Sequence, residues 1–214
     1  MKERPILFSA PMVRAILEGR KTQTRRVLKP QPDGWIRGSS GTFGIPKKIT
    51  SKKPHRNGTI WQEPDGTCYD DIVCPYGQPG DLLWVRETWR PKQHSFPTGW
   101  PYEYRATAEQ DGTPEHGAWK PSIHMPRAAS RILLDITDVR VERLNDISEW
   151  DAIDEGLEMV DGPDGIKYYG NYGDNNADTA LHPIESYRTL WESINGKGSW
   201  IQNPFVWVVE FKVL

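Results

Sequence analysis

The segment Gly19-Arg20-Lys21-Thr22-Gln23-Thr24-Arg25-Arg26 sets a lysine and two threonines among three arginines. A threonine hydroxyl becomes a nucleophile only when a base takes its proton. A lysine serves as that base only when desolvation or neighbouring positive charge brings its pKa down from about 10.4 toward neutrality. Arg20, Arg25 and Arg26 supply such charge around Lys21. The same residues also read as a strand start whose cations face phosphates and whose threonines are β-formers on an exposed face. Residue types and spacing leave both readings open.

Weaker candidates lie elsewhere. His124 and Arg127, close to Trp119 and Lys120, could line a groove where a base stacks and a phosphate is neutralised. Arg86 either pairs with Glu87 or faces a pocket. Cys68, Cys74 and His55 have no standard zinc spacing and lack a fourth ligand, so no metal or other cofactor is expected. Two cysteines are also too few for a disulfide framework.

The elements that must position Lys21 and Thr24 are legible around them. Arg4 to Phe8 reads as a short strand. Ser9 then serves as a helix N-cap with Pro11 in the first turn, Met12, Val13, Ile16 and Leu17 share one face, and Gly19 stops the helix. Lys21 and Thr24 therefore fall at a helix-to-strand junction. Leu82 to Trp89 reads as an apolar strand, and Tyr102 to Ala106 as a partner beside it. Ser130 to Leu144 is a long strand with Ile132, Leu134 and Ile136 inward and a bulge near Asp138. Ser148 caps a helix over Glu149 to Asp154 or Glu155, ended by Gly156, and a further helix begins near Pro183 with Ile184, Tyr187, Leu190, Trp191 and Ile194 on one face. Phe205 to Phe211 is a strong closing strand. Residues 30–80 and 160–180, rich in Gly and polar residues, read as a long insertion and a loop within a single domain over 1–214.

Charge is unevenly distributed. Residues 1–56 hold 14 Lys and Arg against 3 Asp and Glu, and the remainder holds 13 against 26. This asymmetry predicts either a local phosphate-facing patch or pairing of the basic quarter with later acidic segments. The net charge of -2 argues against a general nucleic-acid binder. No apolar stretch approaches a membrane span, and the expected location is cytoplasmic.

Gly19, Lys21 and Arg26 match three positions of the Gly-x-Lys-x-x-Glu-x-Arg hallmark of the ASCH domain, with Thr24 in place of the hallmark Glu. The run Gly19-Arg20-Lys21-Thr22-Gln23-Thr24 resembles the Gly-Arg-Lys-Thr-x-Thr of the N4-acetylcytidine amidohydrolase branch. Ile147 to Glu155 and Val209 to Leu214 fit that branch too, and Cys74 to Glu87 is similar to ASCH proteins of phages and prophages. The resemblance implies an α+β, PUA-like mixed β-barrel with flanking short helices. It further implies a hydrolase of N4-acylated cytidine with Thr24 as nucleophile, Lys21 as base and Glu155 orienting Lys21 or protonating the leaving amine. Arg20, Arg25, Arg26, Arg86, His124 and Arg127 would contact the nucleoside or nucleic acid. Two alternatives share the same cleft: a non-catalytic reader of RNA, in preference to DNA, or of a modified base, and a ribonuclease. The basic insertion also suits an unidentified host protein partner.

Overall fold

The computed structural model describes residues 1–29, 31, 36–37, 43–46, 61–62, 68–70, 73–92, 101–108, 117–161, 167–173 and 182–214. In chain order the elements are β1 (Glu3–Leu7), α1 (Ala10–Leu17), β2 (Gln23–Val27), β3 (Ile36–Arg37), β4 (Phe43–Pro46), β5 (Trp61–Gln62), β6 (Cys68–Asp70), β7 (Leu82–Arg86), β8 (Trp89–Pro91) and β9 (Tyr102–Tyr104). There follow α2 (Arg105–Ala108), β10 (Leu133–Arg143), α3 (Glu149–Asp154), β11 (Met159–Asp161), β12 (Lys167–Tyr169), α4 (Pro183–Asn195) and β13 (Phe205–Val213). The fold is α+β. Among the described residues no helix is long and apolar enough to cross a membrane.

A mixed five-stranded sheet in the order β1-β7-β10-β13-β2 carries the core. β1 runs parallel to β7, and the other three pairings are antiparallel. The interior strand β13, antiparallel to both neighbours, is buried from Phe205 through Val209, which is why it reads as a continuous apolar run rather than an alternating one. In β10, Leu134 and Ile136 point inward, and the register shifts between Ile136 and Asp138, where the change of hydrophobic phase places a bulge. Helix α1 covers the sheet with Met12, Val13, Ala15 and Ile16, and α4 with Tyr187, Leu190 and Trp191.

The sheet differs from the barrel expected of it. Among the described residues no backbone ladder joins β1 to β2, so the sheet is open at those two edges. One side chain spans them: Arg26 Nη2 donates to the carbonyl of Leu7 at 2.7 Å. The stretch expected as a loop at 160–180 contains an antiparallel hairpin of β11 and β12, stabilised because Tyr169 is buried in the core. Leu82 to Trp89 is broken after Arg86. Trp89 starts β8, which pairs with β9 over a small separate cluster of Trp89, Tyr104, Met125 and Ala129. The anticipated insertion over 30–80 lies largely outside the described residues. Within it β3, β4, β6 and β5 pair in that order as a separate sheet.

Candidate active site

Helix α1 ends at Leu17, Gly19 takes φ of +73°, and Lys21 and Thr24 follow at the start of β2. The Ser9 hydroxyl makes no cap hydrogen bond to α1, whereas Ser148 caps α3 by accepting from the Asp151 N–H at 3.1 Å. That cap fixes where α3 begins, and Gly156, whose N–H donates to the Ile153 carbonyl at 2.8 Å with φ of +89°, ends it. Glu155 follows α3 immediately and bridges to Lys21 as an isolated antiparallel pair, which brings residues 134 positions apart into contact.

The Lys21 ammonium donates to Glu155 Oε2 at 2.8 Å and to the Glu155 carbonyl at 2.7 Å. Both side chains are buried, with relative exposures of 2% and 5%. Burial lowers the Lys21 pKa from the usual lysine range, Glu155 opposes that shift, and Arg26 and Arg25 add to it. Gly156, at φ of +89°, allows the close approach: a Cβ there would lie 2.7 Å from Lys21 Cβ and 2.9 Å from Ala15 Cβ.

Arg25 is equally buried, and carboxylates occupy its guanidinium. Nη1 meets Glu155 Oε1 at 3.3 Å, and Nη2 meets Glu142 Oε2 at 3.1 Å and Asp151 Oδ2 at 3.5 Å. Gln23 donates to Asp151 Oδ1 at 3.0 Å and to its carbonyl at 2.7 Å. Arg25 thus holds Glu155 from the side opposite Lys21. Placing it on a phosphate would require breaking these pairs.

Lys21, Thr24, Arg25, Arg26 and Glu155 line one cavity of about 640 Å³. Its walls come from Phe8 and Met12 on one side and Tyr187, Leu190 and Trp191 of α4 on the other. Leu7 at the end of β1 and Arg26 and Val27 of β2 are also among its lining residues, so both edge strands contribute to it. Among the described residues β2 pairs only with β13, and the bonds Phe211 N–H to Thr22 O and Leu28 N–H to Phe205 O place the backbone groups of even-numbered residues toward β13. By the alternation of an antiparallel ladder, the N–H and C=O of Arg25 therefore point to the free edge of β2. A backbone donor immediately after Thr24 is directed to the edge that borders the cavity.

The other sequence candidates lie away from this cavity. Arg20 pairs with Glu18 and donates to the carbonyls of Gly156 and Leu157, each at 3.0 Å, tying the α1 end to the segment after α3. Arg86 lies over the Trp84 ring and bonds the Ile123 carbonyl. His124 is exposed on a short turn, and exposed Arg127 pairs with Glu3 at 2.8 Å. Ser122, next to these residues, does line the cavity. His55 lies outside the described residues, as does the side chain of Cys68, and Cys74 is buried. Sequence reasoning did not anticipate the α4 wall, because Tyr187, Leu190 and Trp191 on one helix face read equally as core. The Arg25 carboxylate cluster was also missed, since Glu142 and Asp151 carry no local signal. Compared with known proteins, the chain matches no family model, no curated protein and no solved structure.

Proposed function

We propose that this chain is an amidohydrolase that removes the acyl group from N4-acylated cytidine, on a fold of the PUA-like ASCH type. The observation that carries the reading is the buried Lys21–Glu155 pair, which lines a cavity of nucleoside size together with Thr24. A buried lysine with a lowered pKa suits a general base, and Thr24, three residues on in the chain, is a hydroxyl lining the same cavity.

In this mechanism neutral Lys21 takes the Thr24 hydroxyl proton as Oγ bonds to the acyl carbon. The carbonyl oxygen becomes an oxyanion, for which the Arg25 N–H at the open strand edge is the donor. Lys21 then passes the proton to N4, the C–N bond breaks and cytidine leaves an acyl ester on Thr24. Water, deprotonated by Lys21, attacks the ester, and the carboxylic acid departs as Thr24 regains its proton. Glu155 holds Lys21 in place, and Arg25 holds Glu155.

The test is to incubate the protein with N4-acetylcytidine and follow cytidine by chromatography. Thr24→Ala and Lys21→Ala should each lower kcat by at least ~100-fold, the scale of losing a nucleophile or general base, with the native circular-dichroism spectrum retained. Full activity in Thr24→Ala would remove it as nucleophile. Salt-sensitive RNA binding without product would support the reader alternative, and cleavage of end-labelled RNA the ribonuclease.

A further inference from the structure

Four basic side chains line the cavity, Lys21, Arg25, Arg26 and Lys29, and Glu155 is the one carboxylate among its described lining residues. The deep end is compensated: Lys21 meets Glu155, and Arg25 meets Glu155, Glu142 and Asp151. Arg26 and Lys29 have no carboxylate partner among the described residues. Arg26 is nonetheless held in place, with Nη2 on the Leu7 carbonyl and its guanidinium over the Phe8 ring at 5.3 Å. Arg26 is half-buried and Lys29 exposed, so the uncompensated charge sits at the mouth while Lys21 and Thr24 sit inside. Thr24 and Arg26 are two residues apart on one strand, hence on the same face and separated by ~7 Å. That spacing is on the scale of the base and sugar of a nucleotide.

We infer that the site takes a phosphorylated ligand, a cytidine nucleotide with its phosphate on Arg26 and Lys29, in preference to the free nucleoside. The inference rests on the hydrolase reading for the base end of the ligand, but not for the phosphate end. An uncharged nucleoside makes no use of two cations that have no carboxylate partner among the described residues, whereas a phosphate pairs with both. The phosphate could belong to a mononucleotide or to a nucleotide within RNA.

Two measurements separate the possibilities. The first compares kcat/KM for N4-acetylcytidine, its 5′-monophosphate, its 3′-monophosphate and a short oligoribonucleotide carrying one N4-acetylcytidine. At least one phosphorylated substrate should exceed the nucleoside by tenfold or more at low salt. Lys29→Ala, at an exposed position, and Arg26→Gln should each cut that ratio severalfold and together bring it near one. Preference for a monophosphate identifies a free nucleotide, and preference for the oligonucleotide identifies RNA. The second measurement is calorimetric binding of cytidine 5′-monophosphate, cytidine 3′-monophosphate and cytidine. If no substrate is hydrolysed but a monophosphate binds at least tenfold tighter than cytidine, in a manner lost in the double variant, the phosphate site stands and the hydrolase reading fails. If nucleoside and phosphorylated substrates react and bind alike, the phosphate site is overturned while the hydrolase reading stands.

Discussion

Lys21 faces two opposed influences, a carboxylate 2.8 Å away that favours its charge and a water-excluded position that disfavours it. Burial is the larger, so the pKa falls below the ordinary lysine value. For a base that must be neutral, kcat/KM should rise with pH through this lowered pKa and then level off. Glu155→Gln removes the influence that raises the Lys21 pKa, so the inflection should move to lower pH while the rate plateau falls. An inflection that moves upward would contradict this assignment of forces. Stability has the same sign: between the lowered pKa and the ordinary one, the unfolded chain binds a proton that the folded chain does not, so the cost of burying Lys21 is relieved as pH rises through that window. Arg25 acts one step further out. Arg25→Lys keeps the charge but loses the fork that spans Glu155, Glu142 and Asp151, and should lower kcat more than it raises KM.

At the scale of elements, the site depends on two chain reversals, the exit of α1 at Gly19 and the exit of α3 at Gly156. Both glycines have positive φ, but only Gly156 is crowded, by Lys21 and Ala15. Gly19→Ala should therefore cost about 1–2 kcal/mol for the left-handed backbone alone. Gly156→Ala should add an overpacking penalty of about 1–3 kcal/mol and displace Lys21 from Glu155, with loss of activity. Urea unfolding of the two variants, compared side by side, checks the difference. Ser148→Ala should cost about 1 kcal/mol through loss of the cap at the start of α3.

Across the whole molecule, the basic N-terminal quarter and the acidic remainder are joined by specific pairs: Arg4 with Asp81, Lys21 with Glu155, and Arg25 with three carboxylates. The Arg4 guanidinium, with the Lys2 N–H, holds the Asp81 carboxyl below its usual range and ties β1 to the turn before β7. Its contribution is present above the ordinary aspartate pKa and is lost as pH falls through the lowered one. Asp81→Asn should therefore flatten the acid limb of a stability-against-pH curve measured by urea unfolding.

Local signals alone placed α1, α3, α4, β10 with its bulge, and β13, because each depends on contacts within a few residues: a cap, a stop glycine, an apolar period. Lys21 and Thr24 were legible for the same reason, as neighbours on one short segment, and Glu155 was reached through resemblance rather than spacing. Distance in the chain hid the rest. That α4 forms a cavity wall and that Arg25 faces carboxylates were decided by packing between segments more than 100 residues apart, and the open edge between β1 and β2 and the seat of Arg26 on Leu7 by packing across 19 residues. The segment Gly19 to Arg26 determined which groups were present; the tertiary structure decided which of their charges were compensated. Pairing is a property of neighbours in space, and no pattern along the chain encodes it.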